Sequence, residues 1–110
     1  MSGNSTSLEG PDLSQGVPLA TLADGAALLG HAQGEPVLLV RRGQQVFALS
    51  ATCTHAACLV GYAPAANDLH CPCHDANFAL DGSVKSGPTI IPLPVYRAMV
   101  GADSIVVDLT

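Results

Sequence analysis

The chain is 110 residues long, the usual length of one domain, which argues against two independent catalytic lobes. Apolar residues make up 48% of the sequence and charged residues 12%, which excludes a disordered acidic tail and fits a domain with one core. The formal net charge is -5 and the four basic residues are scattered along the chain. Nucleic acid is therefore not an expected partner, because binding its phosphates requires clustered cations.

The first sixteen residues differ in composition from the rest. Residues 1–16 are rich in Ser, Gly and Asn, which predicts a mobile N-terminal tail ahead of a domain at 17–110. They show no charged head followed by an apolar stretch, so no secretory signal is expected. The most apolar window, 47–66, contains two threonines and a histidine and is bulked mainly by alanine. We therefore expect no membrane-spanning helix.

Short apolar runs separated by turn residues begin at residue 17. They predict strands within 17–22, 36–40, 45–49, 68–70, 77–80, 95–100 and 104–109, with a hairpin turn at 41–44. An apolar cluster at 22–29 is interpreted either as a helix or as a loop with a single turn. The pattern predicts an all-β fold, a small antiparallel barrel or sandwich.

Cysteine and histidine occur together in two short segments that follow predicted strands. One residue separates Cys53 from His55, and two separate Cys71 from His74. Zinc sites more often pair Cys with Cys and His with His. Mixed segments match a binuclear iron cluster in which one iron takes two thiolates and the other two imidazoles. An iron-sulfur cluster is therefore favoured, and a zinc-stabilised interaction module is the alternative.

The remaining cysteines and histidines are not needed as ligands. Cys58 and Cys73 lie one in each segment, so a disulfide between them would tie the two loops together, provided that their Cα atoms approach within about 7 Å. His31 and His70 stand outside both segments and are interpreted as surface or strand-end residues.

The two segments, Cys-Thr-His-x-x-Cys and Cys-Pro-Cys-His, resemble the double box of Rieske 2Fe-2S proteins. The resemblance implies one Rieske-type 2Fe-2S cluster in a cluster-binding subdomain with loops at about 51–62 and 70–78. It assigns one iron to Cys53 and Cys71, the other to His55 and His74, and the disulfide to Cys58 and Cys73. It also implies a proline loop at about 86–89 that contains Gly87 and Pro88.

Four residues depart from the pattern of quinol-oxidising Rieske proteins. Ala57 and Asp75 stand where those proteins often have Gly, and a positive φ is harder to adopt with a side chain, although Asp tolerates it better than most. Ala76 and Phe78 stand where high-potential members have Ser and Tyr, whose hydroxyl groups donate to cluster sulfur. The resemblance therefore implies a lower reduction potential.

By this resemblance the protein is a one-electron carrier and not an enzyme by itself. The additional cysteine pair resembles that of the disulfide-bearing Rieske subclass, which includes the Rieske subunits of cytochrome bc-type complexes and of arsenite oxidase. Oxygenase ferredoxins usually lack this pair, so its presence argues against them. The implied partners are b- or c-type cytochromes or a catalytic oxidase subunit, with quinol as a further candidate. An arsenite-oxidase-type small subunit and an oxygenase ferredoxin are the alternatives. A disulfide favours an oxidising space such as the periplasm, whereas the missing signal leaves the cytoplasm open.

Overall fold

The computed structural model describes residues 10–53, 58–73, 75–87 and 90–109. Within these ranges the chain forms two antiparallel β-sheets and no α-helix. The strands are β1 Val17–Pro18, β2 Ala27–Ala32, β3 Glu35–Arg42, β4 Gln45–Ser50, β5 Gly61–Ala63, β6 Asp68–Cys71, β7 Ala76–Phe78, β8 Val84–Ser86, β9 Val95–Val100 and β10 Ser104–Asp108. The predicted all-β class is confirmed. None of the helical segments in the described ranges is long and apolar enough to cross a membrane.

The larger sheet has six strands in the order β1-β10-β9-β4-β3-β2. One end of this sheet consists of two successive hairpins, β2–β3 and β3–β4, each closed by a two-residue turn. The first turn uses Gln33 and Gly34, both with positive φ (52° and 83°), which is the conformation that matches the twist of paired strands. Gly43 begins the second turn with a φ of 63°.

The smaller sheet has four strands in the order β5-β6-β7-β8 and is inserted in the chain between β4 and β9. The first cysteine-histidine segment connects β4 to β5, and the second connects β6 to β7. Both segments are thus connections at this sheet rather than parts of the larger one. Loops presented by a rigid scaffold are the usual place for a functional site.

Buried apolar side chains form two clusters on opposite faces of β3. Leu38 and Val40 belong to an inter-sheet core that also contains Leu49 of β4 and Leu69 and Phe78 of the smaller sheet. Val37 and Leu39 of the same strand belong to a second cluster, the barrel core, with Leu13, Leu22, Ile105 and Val107. This explains the uninterrupted apolar run at 37–40, because a strand covered on both faces has no solvent side to make polar.

Part of the predicted N-terminal tail is packed against the barrel core. Leu13 lies in a short 3₁₀ turn, Leu13–Gln15, and is fully buried. Asp12 accepts hydrogen bonds from the backbone N–H and the hydroxyl of Ser14, and the His31 N–H donates to the Pro11 carbonyl. The prediction of a mobile tail is therefore wrong for residues 10–16, while residues 1–9 lie outside the described part of the chain.

The segment 22–29 contains no helix. A 3₁₀ turn, Leu19–Thr21, precedes it, and its second half is the start of β2. Gly25 has a φ of 79°, and its N–H donates to the carbonyl of Arg41, whose own N–H donates to Ala26. Backbone groups that a helix would pair internally are therefore used to continue the ladder with β3, which corrects the helical interpretation.

Candidate metal centre

The first ligand segment is a loop whose two ends are held together by backbone hydrogen bonds. The Cys53 N–H donates to the Cys58 carbonyl and the Val60 N–H donates to the Ala51 carbonyl, both at 2.8 Å. Thr52 and Leu59 form an isolated antiparallel bridge between these two pairs. Cys53 is buried at 4% exposure. His55 and Ala57 fall within 54–57, outside the described residues.

The second segment begins at the last residue of β6. Cys71 is fully buried and pairs with Ala76 across the β6–β7 ladder. Asp75, where the resemblance to quinol-oxidising Rieske proteins implied Gly, has a φ of 58°, in the left-handed region that Asp enters more readily than most residues. The expected positive φ is thus accommodated here without glycine. His74 lies outside the described residues.

Strand alternation places one set of side chains on the inner face of the smaller sheet. Cys71 and Leu69 of β6 lie opposite Ala76 and Phe78 of β7, and all four are fully buried. Cys53 belongs to the same inter-sheet core. The structure therefore brings both predicted thiol ligands into one apolar environment, although the whole of β5 and most of β6 lie between them in the sequence.

A disulfide links the two segments, as predicted. Cys58 and Cys73 are bonded, with their Cα atoms 6.4 Å apart. Gly61 pairs with His70 at the end of the β5–β6 ladder, and each cysteine lies three residues beyond its member of that pair. The disulfide therefore closes the base of the β5–β6 hairpin. Cys53 and Cys71 are not part of it.

Gly87 covers the inner end of β7. Its φ is 115°, and a Cβ built on it would lie 2.5 Å from the Cα and 2.8 Å from the Cβ of Ala76. Only glycine allows the backbone to come this close. The resemblance placed the start of a covering proline loop at this position, and the structure shows a direct contact with the strand that follows the second ligand segment. Pro88 lies outside the described residues.

The outer face of the same sheet carries His70, which the sequence placed at a surface or strand end, and two polar residues that sequence reasoning did not single out, Asn77 and Ser86. His70 Nδ1 and Asn77 Oδ1 are 2.9 Å apart, and Asn77 Nδ2 donates to Ser86 Oγ at 2.9 Å. His70 alternates with Cys71 along β6 and so points away from the buried thiols. Period-two alternation around Cys71 is the signal from which this orientation follows. His31 lies in β2 of the other sheet.

Two carboxyl groups in turns have lowered pKa values. The Ser14 hydroxyl, and secondarily its N–H, hold the pKa of Asp12 below its ordinary 3.8. The Ser83 hydroxyl and N–H do the same for the pKa of Asp81 in the β7–β8 turn. Hydrogen bonds to the charged form favour it, so both serine contacts stabilise their turns most when the carboxyls are ionised.

The described donor set fits the cysteine half of a mixed cluster site. The described residues contain no group of three His, Cys, Asp or Glu side chains gathered to hold a metal ion, and both candidate imidazoles lie outside them. What is present is a pair of buried thiols beside a disulfide that joins their loops. Soft thiolates in an apolar environment suit an iron-sulfur cluster.

Comparison with known proteins identifies the family to which the chain belongs. Residues 17–97 match the family model described as the Rieske [2Fe-2S] domain. The chain belongs to the Rieske family. Its cofactor is therefore a Rieske-type 2Fe-2S cluster, which agrees with the prediction from the two ligand segments.

Individual relatives include cytochrome b6-f iron-sulfur subunits and an oxygenase ferredoxin. The chain is 39% identical over 85 residues to a cytochrome b6-f complex iron-sulfur subunit of Chlorobaculum thiosulfatiphilum, covering 77% of this chain and 47% of that protein. The plasma-membrane Rieske protein of Synechocystis PCC 6803 is 38% identical with a TM-score of 0.69, covering 74% of this chain and 85% of that one. The ferredoxin of carbazole 1,9a-dioxygenase from Nocardioides aromaticivorans is 26% identical with a TM-score of 0.74, covering 83% and 91%. The chain spans about half the length of the curated cytochrome b6-f relatives that it matches.

Proposed function

We propose that this protein transfers one electron at a time through a 2Fe-2S cluster bound by Cys53 and Cys71 on one iron and by His55 and His74 on the other. The observation that carries the proposal is the Cys58–Cys73 disulfide, which joins the two ligand loops next to the two buried thiols. Such a crosslink limits how far the loops separate, so the four ligands stay within reach of one cluster.

The cluster supplies a site that accepts and releases a single electron at a potential of roughly -150 to +300 mV. The chain's own residues set where in this range the potential falls. Burial of Cys53 and Cys71 excludes water from the thiolate side, and the neighbouring Ala76 and Phe78 side chains donate no hydrogen bond to sulfur. Each imidazole ligand retains a second ring nitrogen that holds or releases a proton, so electron uptake is coupled to proton uptake.

The favoured setting is the head domain or small subunit of a respiratory-type redox complex. Two relatives support this assignment, the cytochrome b6-f iron-sulfur subunit and the plasma-membrane Rieske protein, at 39% and 38% identity. The Cys58–Cys73 disulfide supports it as well, because the family resemblance associates this cysteine pair with Rieske subunits of such complexes rather than with oxygenase ferredoxins. The expected electron donor is a quinol or a catalytic oxidase subunit, and the expected acceptor is a cytochrome.

A ferredoxin that serves an oxygenase is the second candidate. One observation favours it: the chain covers 91% of the carbazole dioxygenase ferredoxin but only 47% of the Chlorobaculum thiosulfatiphilum subunit. The two candidates differ in donor. A quinol-dependent carrier is reduced by a soluble quinol analogue together with a cytochrome bc-type complex, whereas an oxygenase ferredoxin is reduced by a flavin-dependent reductase.

Spectroscopy of the purified protein tests the cluster assignment. We expect a brown protein with equal amounts of iron and acid-labile sulfide, and a reduced-state EPR spectrum whose average g lies below the free-electron value. Cys53→Ser and Cys71→Ser should lose this signal. Ser83→Ala, which changes a turn that contains no proposed ligand, should keep it. A colourless protein that contains zinc would refute the proposed function.

A further inference from the structure

Asn77 is the central residue of β7 and occupies the outer face of the smaller sheet. Its side chain bonds in two directions: Oδ1 lies 2.9 Å from His70 Nδ1 on β6, and Nδ2 donates to Ser86 Oγ on β8 at 2.9 Å. The amide oxygen accepts a hydrogen bond from His70 Nδ1 when that nitrogen carries the ring proton, and the amide nitrogen donates to the Ser86 hydroxyl. Asn77 therefore connects three neighbouring strands through its side chain.

The two residues that Asn77 binds each precede a residue of the candidate metal centre. His70 is followed by Cys71, a proposed iron ligand, and Ser86 is followed by Gly87, whose backbone lies against Ala76. The Asn77 amide thus connects the strand that ends in the ligand to the strand that leads into the covering segment. The hydrogen bonds lie on the outer face, while the ligand and the cover act on the inner face.

The backbone ladder alone holds this cover weakly. Strands β7 and β8 have three residues each, and the register between them is irregular: Asn77 pairs with Ser86, but Phe78 pairs with Val84. The additional residue on β8 interrupts the regular ladder at this point, as in a β-bulge. The side-chain bond from Asn77 to Ser86 reinforces the last regular pair before Gly87, and Gly87 itself has no side chain with which to anchor the segment.

We propose that Asn77 is a positioning residue that holds the Ser86-Gly87 segment against Ala76 and thereby sets how closely the cluster is covered. The proposal rests on the proposed function, because it requires Cys71 to be an iron ligand. Loosening the segment admits water to the inner face. Water stabilises the additional negative charge of the reduced cluster, so the reduction potential rises when the cover is loosened.

Asn77→Ala removes both hydrogen bonds, and Ser86→Ala removes only the bond to β8. Ser83→Ala is the matched control, because it deletes a serine hydroxyl hydrogen bond of 2.6 Å in the β7–β8 turn without touching Asn77 or Ser86. In each holoprotein we would measure the reduction potential by protein-film voltammetry, the amide exchange rate of Gly87, and the rate at which a chelator removes iron.

We expect Asn77→Ala to raise the potential, to speed Gly87 amide exchange several-fold and to speed iron loss. Ser86→Ala should shift all three in the same direction by a smaller amount, and Ser83→Ala should match the unmodified protein. An unchanged or lowered potential in both Asn77→Ala and Ser86→Ala would overturn the proposal, as would an equal shift in Ser83→Ala. Failure of the unmodified protein to show a Rieske EPR signal would instead overturn the proposed function. If Asn77→Ala does not fold, Ser86→Ala decides the outcome.

Discussion

Two side chains next to the candidate cluster lack groups that donate to sulfur. Ala76 and Phe78 are both fully buried on the inner face of β7. Across the β6–β7 ladder, Ala76 pairs with Cys71 and Phe78 pairs with Leu69. A hydroxyl introduced at either position has no water to bond, so it must find an acceptor within the site. Sulfur of the cluster is the acceptor that the site would offer.

We expect Ala76→Ser and Phe78→Tyr to raise the reduction potential, because a hydrogen bond to cluster sulfur stabilises the more negative reduced state. The measurement is protein-film voltammetry of each holoprotein. Phe47→Tyr on β4 is the matched control, since this ring only packs against the edge of the same core. Potentials unchanged in both variants would show that neither position faces the cluster.

At the residue scale, the sequence predicted chemistry better than geometry. The 2Fe-2S cluster and the disulfide were predictable because cysteine and histidine at short spacing have few other uses. The positive φ at Asp75 was expected from the glycine that it replaces in the motif. The roles of Asn77 and Ser86 could not be predicted, because their significance depends on which residues β7 and β8 place side by side.

At the scale of elements, strands with clear apolar alternation or a buried run were predicted and others were missed. β2, Ala27–Ala32, was missed because its first three residues end the segment 22–29 that was interpreted as a helix or loop, and its sequence shows no strict apolar alternation. Its hairpin turn, Gln33-Gly34, was the usable signal. β5 and β8 have three residues each, too few for a period to emerge, and their pairing rather than their composition makes them strands.

The 3₁₀ turn Leu13–Gln15 is expected to stabilise the domain although it lies in a segment of tail-like composition. We expect Leu13→Ala to lower the free energy of unfolding by about 2–5 kcal/mol, because it deletes a fully buried side chain from the barrel core. Denaturant unfolding measures this. Ile90→Ala deletes the same number of carbon atoms from a side chain that is 92% exposed and should change stability by less than about 0.5 kcal/mol. Equal changes in unfolding free energy for Leu13→Ala and Ile90→Ala would contradict the burial of Leu13 in the barrel core.

At the scale of the whole molecule, the two sheets are joined by packing and by a polar link at the surface. The inter-sheet core combines Leu38, Val40 and Leu49 with Leu69 and Phe78. On the surface, Arg42 Nη1 donates to the Tyr62 hydroxyl, which donates to Asn67 Oδ1. The sequence did not predict this arrangement, because β4 pairs with β9 across the entire smaller sheet and no local pattern encodes such a contact.

Packing is expected to outweigh the polar link in holding the sheets together. Leu49→Ala should cost about 2–5 kcal/mol of unfolding free energy and weaken cluster retention, because Leu49 is fully buried between the sheets. Tyr62→Phe should cost at most about 1.5 kcal/mol, since hydrogen bonds near the surface exchange for bonds to water. Denaturant unfolding with iron analysis distinguishes them. A larger loss of unfolding free energy in Tyr62→Phe than in Leu49→Ala would show that the polar link contributes more than packing to holding the two sheets together.

The position of the disulfide at the base of the β5–β6 hairpin has a consequence for the order of folding. Cys58 and Cys73 are 15 residues apart and lie on the two arms of one hairpin, so their oxidation needs only that hairpin to close and not the distant pairing of β4 with β9. Closing a short loop costs less chain entropy than closing a long one. A one-residue slip would send every side chain of the hairpin to the opposite face, and the covalent ring prevents it. We therefore expect the crosslink to fix the inward direction of Cys71 in a hairpin that can form before the scaffold that encloses it.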